Sequence, residues 1–213
     1  MIQVLLFLSQ YMLELNSQIA DFFTSFWNLA FIPLFADGPI FFLPLFLGGM
    51  WIYYTFSPLS ILSWKERWSY NEARVELMYI FYACIIGMIL SYIIKQFVDI
   101  ERPESYVEST KNMLLWTIPE KSFPSDHATI SFAFVTALLY TRFYKIGYIF
   151  LPLVIIMNLC RIAVWVHWPL DILAGSLLWI FSAFIFFKYL RELKLVKSTN
   201  SIIIKVMKSL HLY

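Results

Sequence analysis

Charge is scarce in this chain. Of 213 residues only 14% are charged, while 61% are hydrophobic and 20% aromatic. A soluble domain carries about a quarter charged residues, so this composition excludes one and makes the chain an integral membrane protein. The net charge is only +2, and no basic run interleaved with aromatics occurs outside the carboxy-terminal tail, which excludes nucleic acid as a partner. Cysteine is almost missing. The two present, Cys84 and Cys160, fall inside apolar runs and read as small buried hydrophobes, not as a disulfide or metal pair. Histidine is equally sparse, and no further Cys or His lies at ligand spacing, so no metal site is expected. Lys and Arg are absent before Lys65. The amino terminus therefore lacks the positive region of a secretory signal and is expected to stay attached.

What the chain has is long apolar runs. Residues 2–16 mix Leu, Phe and Met with polar side chains, which suits an interfacial amphipathic helix. The runs 19–35 and 40–56 flank Ala36-Asp37-Gly38-Pro39, a turn signal, although Asp21 weakens the first as a span. Further runs cover 75–97, 128–140, 146–166 and 170–189. Most approach the roughly 17–20 residues that a bilayer requires, and 128–140 falls short. The expected fold is an all-α polytopic membrane helix bundle with about six transmembrane helices, or five plus an amino-terminal interfacial helix. Residues 1–213 read as a single membrane domain, with a catalytic core at about 75–190 and a basic cytoplasmic tail at 188–213. Eleven of the sixteen Lys and Arg lie in the 57–74 loop, the Arg142 to Lys145 turn and the tail. The positive-inside bias then puts those segments in the cytoplasm and the 98–126 loop outside, together with His127 and His167.

Ionisable residues stand out against this background. Arg161, His167 and Asp171 lie between two runs that read as spans, where such groups cost a few kcal/mol and require compensation. His167 and Asp171 are four apart, so on a helix one carboxylate could orient the imidazole and stabilise its charged form. Pro169 between them suits the first turn of a new helix. The same topology brings up Lys95, Arg102-Pro103 and Ser122-Phe123-Pro124-Ser125-Asp126-His127. Three cations beside two imidazoles match what phosphoryl transfer needs, since charge on the equatorial oxygens must be neutralised. Arginine offers a planar fork and lysine a point charge, and a helix starting near Ser125 to His127 adds backbone donors.

These residues resemble the signature of the type-2 phosphatidic acid phosphatase superfamily, membrane lipid phosphate phosphatases related to vanadium haloperoxidases. The family pattern is Lys-x6-Arg-Pro, Pro-Ser-Gly-His and Ser-Arg-x5-His-x3-Asp. The chain reads Lys95-x6-Arg102-Pro103, Pro124-Ser125-Asp126-His127 and Cys160-Arg161-x5-His167-x3-Asp171. The resemblance implies a covalent mechanism without metal or cofactor. His167 would carry a phosphohistidine, Asp171 would orient it, and His127 would protonate the leaving oxygen and then activate water. Lys95, Arg102, Arg161 and Ser125 would hold the phosphoryl oxygens. Asp126 replaces the common Gly, which puts a negative charge near the pocket unless it turns away, pairs with a cation or is protonated. It is similar in this to the bacterial undecaprenyl-diphosphate phosphatase branch. Cys160 replaces Ser and weakens any hydroxyl contact to phosphate.

Singly, each residue has an ordinary reading: Lys95 snorkelling from a helix end, Arg102 paired with Glu101 or Glu104, Arg161 in a structural ion pair with Asp171. None of these requires fixed spacings in three segments. The Trp residues, including Trp51, Trp165 and Trp168, read as an interfacial belt. Met113 to Trp116 reads as an apolar patch that dips into the outer leaflet and admits a lipid tail. The expected function is hydrolysis of a lipid-linked phosphate or diphosphate at the external face of a bacterial cytoplasmic membrane, with membrane lipids as surroundings and undecaprenyl diphosphate as first candidate. Phosphatidylglycerophosphate, phosphatidic acid and a lipid A phosphate are rival substrates. A phosphotransferase and a transporter or channel are the rival activities.

Overall fold

In hydrocarbon, an unpaired backbone group has no water to bond, so a spanning segment must satisfy its hydrogen bonds internally, as a helix does. The computed structural model describes residues 2–26, 31–56, 64–103 and 121–210. They form α1 (Ile2–Phe26), α2 (Phe31–Phe56), α3 (Trp64–Phe97), α4 (Asp126–Leu139), α5 (Tyr144–Ala163), α6 (Pro169–Ile185) and α7 (Lys194–Ser209), with a π-helical segment, Phe186–Leu190, prolonging α6. Among the described residues four helices are long and apolar enough to cross a membrane: Phe31–Phe56, Asn71–Phe97, Tyr144–Ala163 and Pro169–Leu190. The shorter apolar helix α4 runs among them. Its length of about 21 Å falls short of a bilayer core of about 30 Å. It packs instead against α3, α5 and α6, with Ala128, Ala133, Phe134, Ala137 and Leu138 buried. Among the described residues the candidate spans thus number four, against the six, or five plus an interfacial helix, expected above.

The amino-terminal third divides differently from the expectation. The segment Ala36-Asp37-Gly38-Pro39 is no turn: α2 continues through it and holds both Pro39 and Pro44. The run 19–35 is consequently split between the end of α1 and the start of α2. Proline ends helices readily in water, where freed carbonyls find solvent; between other helices in a membrane the helix persists because leaving it would strand more groups than the two that proline frees. The 57–74 loop is also shorter than expected, since α3 begins at Trp64. The 188–213 tail is largely helical: α7 turns Leu195, Ile202 and Val206 outward together with its lysines. Trp51 lies near the end of α2. Met113 to Trp116 lie outside the described residues, as do the side chains of Trp64 and Trp68.

Helices α3 to α6 run alternately up and down. The end of α3, the start of α4, the end of α5 and the start of α6 meet at one end of the bundle, as the contacts of the next section establish. At the opposite end the α4–α5 turn is pinned through Arg142, whose Nη2 donates to Glu72 at 2.7 Å and whose Nε donates to Glu76 at 3.1 Å. Between the ends lies a packed aromatic core, in which Phe150 meets Phe46 at 5.0 Å and Phe134 at 5.4 Å between ring centroids. Gly87 lets α3 and α6 approach: a Cβ there would lie 1.5 Å from the buried Trp179 ring. On α6, Leu170, Leu173, Leu177, Ile180 and Phe184 are exposed at helical spacing, an apolar stripe suited to lipid.

Candidate active site

Helix α5 ends at Ala163 and α6 begins at Pro169, so His167 lies in a five-residue turn. Trp165 in that turn has φ 61°, a conformation costly for a bulky side chain and sustained only when its surroundings hold it. Three contacts do so. Asn16 Nδ2 on α1 donates to the carbonyls of Ile162 at 3.3 Å and His167 at 3.4 Å, and Arg102 donates to the carbonyl of Val166 at 2.8 Å. Asp171 then orients the ring. As the third residue of α6 it caps the helix by accepting from the Trp168 N–H at 2.8 Å, and the same oxygen, Oδ2, lies 3.3 Å from His167 Nδ1. Ser122 also donates to this oxygen, and its hydroxyl is 3.4 Å from His167 Nδ1. One carboxylate oxygen thus fixes the helix start and the imidazole together, holding the ring through Nδ1 and not Nε2.

The start of α4 is built against this turn. Ser125 caps the helix, accepting from the Ala128 N–H at 3.4 Å, and its own N–H donates to the Asp171 carbonyl at 3.3 Å. Gly175 permits the approach, because a Cβ there would lie 2.9 Å from the Ser125 carbonyl oxygen. Asp126 turns to a cation: it forms an ion pair with Lys95 and accepts from Ser91 at 2.8 Å. Lys121 donates to the Lys95 carbonyl at 2.8 Å. Arg102 pairs through its backbone contacts to Val166 and Lys121. Segments far apart in sequence thereby converge.

Arg161, near the end of α5, forms an ion pair with Asp37 of α2, and not with Asp171. The same Asp37 oxygen lies 3.5 Å from His127 Nε2. Asp37 is the residue that sequence reasoning missed, since it stood within a supposed turn. Its signal was a lone carboxylate inside a stretch of otherwise apolar residues, which in a membrane demands a partner. Asn16 was likewise read only as one polar residue of an interfacial helix.

The cluster is buried. His167, Asp171 and Asp37 are 2%, 1% and 1% exposed, and Ser125 is fully enclosed. Burial, reinforced by Arg161 and Arg102 and then by His127 and Lys95, holds His167 well below the ordinary imidazole range. A neutral, oriented imidazole surrounded by cations can attack an electron-poor centre in an anion. Cys84 and Cys160 are both free thiols, Cys160 buried. Among the described residues no group of three His, Cys, Asp or Glu could hold a metal ion.

Residues 76–194 match the model of the PAP2 superfamily. The chain is 33% identical over 122 residues to undecaprenyl-diphosphatase BcrC of Bacillus subtilis (strain 168), covering 56% of this chain and 60% of that protein. It is 30% identical over 146 residues to bacitracin transport permease protein BcrC of Bacillus licheniformis, with 68% and 70% covered. The YbjG protein of Escherichia coli (strain K12) is 29% identical over 119 residues, with 56% and 58% covered. The match thus spans less than two thirds of the Escherichia coli and Bacillus subtilis relatives. Among solved structures, Aquifex aeolicus LpxE superposes with a TM-score of 0.46 at 22% identity, over 76% of this chain and 95% of that one.

Proposed function

The chain belongs to the PAP2 superfamily, and from that premise we propose that it is a membrane lipid phosphatase whose nucleophile is His167. The observation that carries this reading is the buried His167–Asp171–Ser122 cluster at the bundle end where Lys95, Arg102, Arg161 and His127 also meet. The phosphoryl group would sit among the three cations and the N–H groups opening α4, which favour negative charge there. His167 Nε2 attacks phosphorus as the bond to the lipid oxygen breaks, giving a phosphohistidine. His127 gives its proton to the leaving oxygen and later takes one from the water that releases phosphate. Lys95, Arg102 and Arg161 neutralise the charge on the equatorial oxygens, with Ser125 beside them. Asp126 holds Lys95 in place, and the lysine keeps further donors for substrate.

Undecaprenyl diphosphate is the proposed substrate, giving undecaprenyl phosphate and inorganic phosphate. The Ser125-Asp126-His127 sequence and the activity named for the Bacillus subtilis relative support it. The site is proposed to face outward, because the opposite end of the bundle carries Arg142, Lys145 and the lysines of α7. The exposed stripe on α6 would lie against the lipid tails.

A panel of lipid phosphates and diphosphates tests the reading with purified protein in detergent and no divalent metal. His167→Ala is expected to lower kcat by at least about three orders of magnitude, as nucleophile removal does elsewhere. With His167 held below the usual imidazole range, the acidic limb of kcat/KM should lie below about pH 6.5: a lowered value means that the nucleophile protonates only in more acid solution. Full turnover by His167→Ala would sink the mechanism. Transfer of labelled phosphate to a second lipid would indicate a phosphotransferase. The name of the Bacillus licheniformis relative motivates one rival, a transporter. Against it, the buried charges other than Arg74 cluster at one bundle end. Liposome flux that survives in His167→Ala, in a protein without phosphatase activity, would favour the transporter.

A further inference from the structure

Asp37 is not part of the three-segment signature, and no mechanism given so far uses it. It lies on α2, is 1% exposed, and touches two groups of the site from behind: it forms an ion pair with Arg161, and its Oδ1 stands 3.5 Å from His127 Nε2. Among the described residues, His127 Nε2 and the second Asp37 oxygen are buried without any hydrogen-bond partner. A carboxylate inside a span is costly unless paired, and here its partners are groups of the site.

The neighbourhood of His127 poses a charge problem. An acid that donates to a leaving oxygen must carry its proton beforehand, so the ring has to be imidazolium in the substrate complex. It faces Asp37 from α2, Arg161 from α5, Lys95 from the end of α3, Arg102 from the segment after α3, and His167 from the α5–α6 turn. Burial first, and then three cations, disfavour a further positive charge there. Of the other carboxylates packed nearby, Asp126 is bound to Lys95 and Ser91, and Asp171 to Ser122, the Trp168 N–H and His167. Asp37 is bound as well, to Arg161, but its Oδ1 also stands 3.5 Å from His127 Nε2, and this contact makes it the negative charge that faces His127.

We propose that Asp37 is a positioning residue for proton transfer: its carboxylate holds His127 through Nε2 and stabilises the imidazolium, leaving Nδ1 to serve the leaving oxygen, while it braces Arg161 toward the phosphoryl group. The inference rests on the phosphatase reading above. The two histidines then use opposite ring nitrogens. His167 is held through Nδ1 by Asp171 and attacks with Nε2; His127 is held through Nε2 by Asp37 and transfers its proton with Nδ1. As the phosphorus–oxygen bond breaks and the His167 nitrogen–phosphorus bond forms, the His127 proton passes to the departing oxygen, which is the bridging oxygen of undecaprenyl phosphate for the diphosphate and an alkoxide for a phosphate monoester. In the second step water yields a proton to His127 as its oxygen displaces the imidazole.

The test compares two substrates with the same phosphoryl group. A short-chain phosphatidic acid leaves as an alkoxide and needs a proton. p-Nitrophenyl phosphate leaves as a stable phenolate and does not. In Asp37→Asn, kcat/KM for the alkyl phosphate should fall by about 100-fold, the lower range for a lost general acid, and by less than about tenfold for the aryl phosphate. The basic limb of the alkyl profile should move to lower pH, because without the carboxylate the imidazolium persists only in more acid solution. Asp37→Glu should recover part of the alkyl rate. The ratio of the two rates does not depend on how much variant is folded, and where the Asn variant yields no folded protein the Glu variant is read against wild type in the same way. Equal losses on both substrates, or no loss on either, would overturn the proposal. Wild-type protein inactive toward every phosphate would remove the phosphatase reading, and this inference with it.

Discussion

Apart from the enclosed Arg74, the two ends of the bundle treat charge in opposite ways. Around the α5–α6 turn, Arg161, Asp37, His167 and Asp171 are almost wholly enclosed and bonded to one another. Around the α4–α5 turn, Arg142 reaches Glu72 and Glu76 with all three side chains about a quarter or more exposed. There the two carboxylates outweigh partial burial and raise the Arg142 guanidinium above its usual value. Water screens such a network, so it holds a turn at a worth of about 1 kcal/mol or less. Enclosed pairs behave otherwise: removing one partner strands a charge and costs several kcal/mol. The first arrangement is therefore sensitive to single atoms and the second tolerant.

Asp171→Asn presses this contrast hardest. Its oxygen serves the helix cap, Ser122 and His167 at once, so kcat should fall by about 10²- to 10⁴-fold, the range seen where a carboxylate orients a catalytic imidazole. Retention of most activity in steady-state assays would show that the imidazole does not depend on this carboxylate. Gly175→Ala comes next. Its Cβ would press on the Ser125 carbonyl and Thr129, displacing the start of α4. A drop in kcat of up to about 100-fold is expected, since misplacement by an ångström is enough, with only about 1–3 kcal/mol lost from stability in detergent melts. Arg142→Ala should do least: under about 1 kcal/mol in the same melts and no change in kcat. A fall in kcat for Arg142→Ala as large as that for Gly175→Ala would mean that the ends are coupled, and the contrast would fail.

Much of this arrangement was legible in the chain. The spacing of Lys95 and Arg102, the run Ser125 to His127 and the pair His167 and Asp171 are local, and each sits where a helix starts or stops. Pro169 and Asp171 carry their own capping chemistry, and Ser125 does the same for α4. Less legible was the amino-terminal third. Gly38 and Pro39 are turn residues by every rule derived from water, and only a surrounding of other helices keeps α2 intact through them.

Hydrophobic run lengths and caps depend on neighbours along the chain, and for that reason the sequence by itself determined a helical membrane bundle with most of its site residues at helix termini. Which carboxylate faces which cation was decided by the tertiary structure alone. Asp126 could have met any of three cations and is bound to Lys95, and Arg161 turned from Asp171, ten residues away, to Asp37, 124 positions back. The reason is the price of an unpaired charge in a low dielectric: it sets a demand for some partner, while packing across four helices chooses which one is within reach.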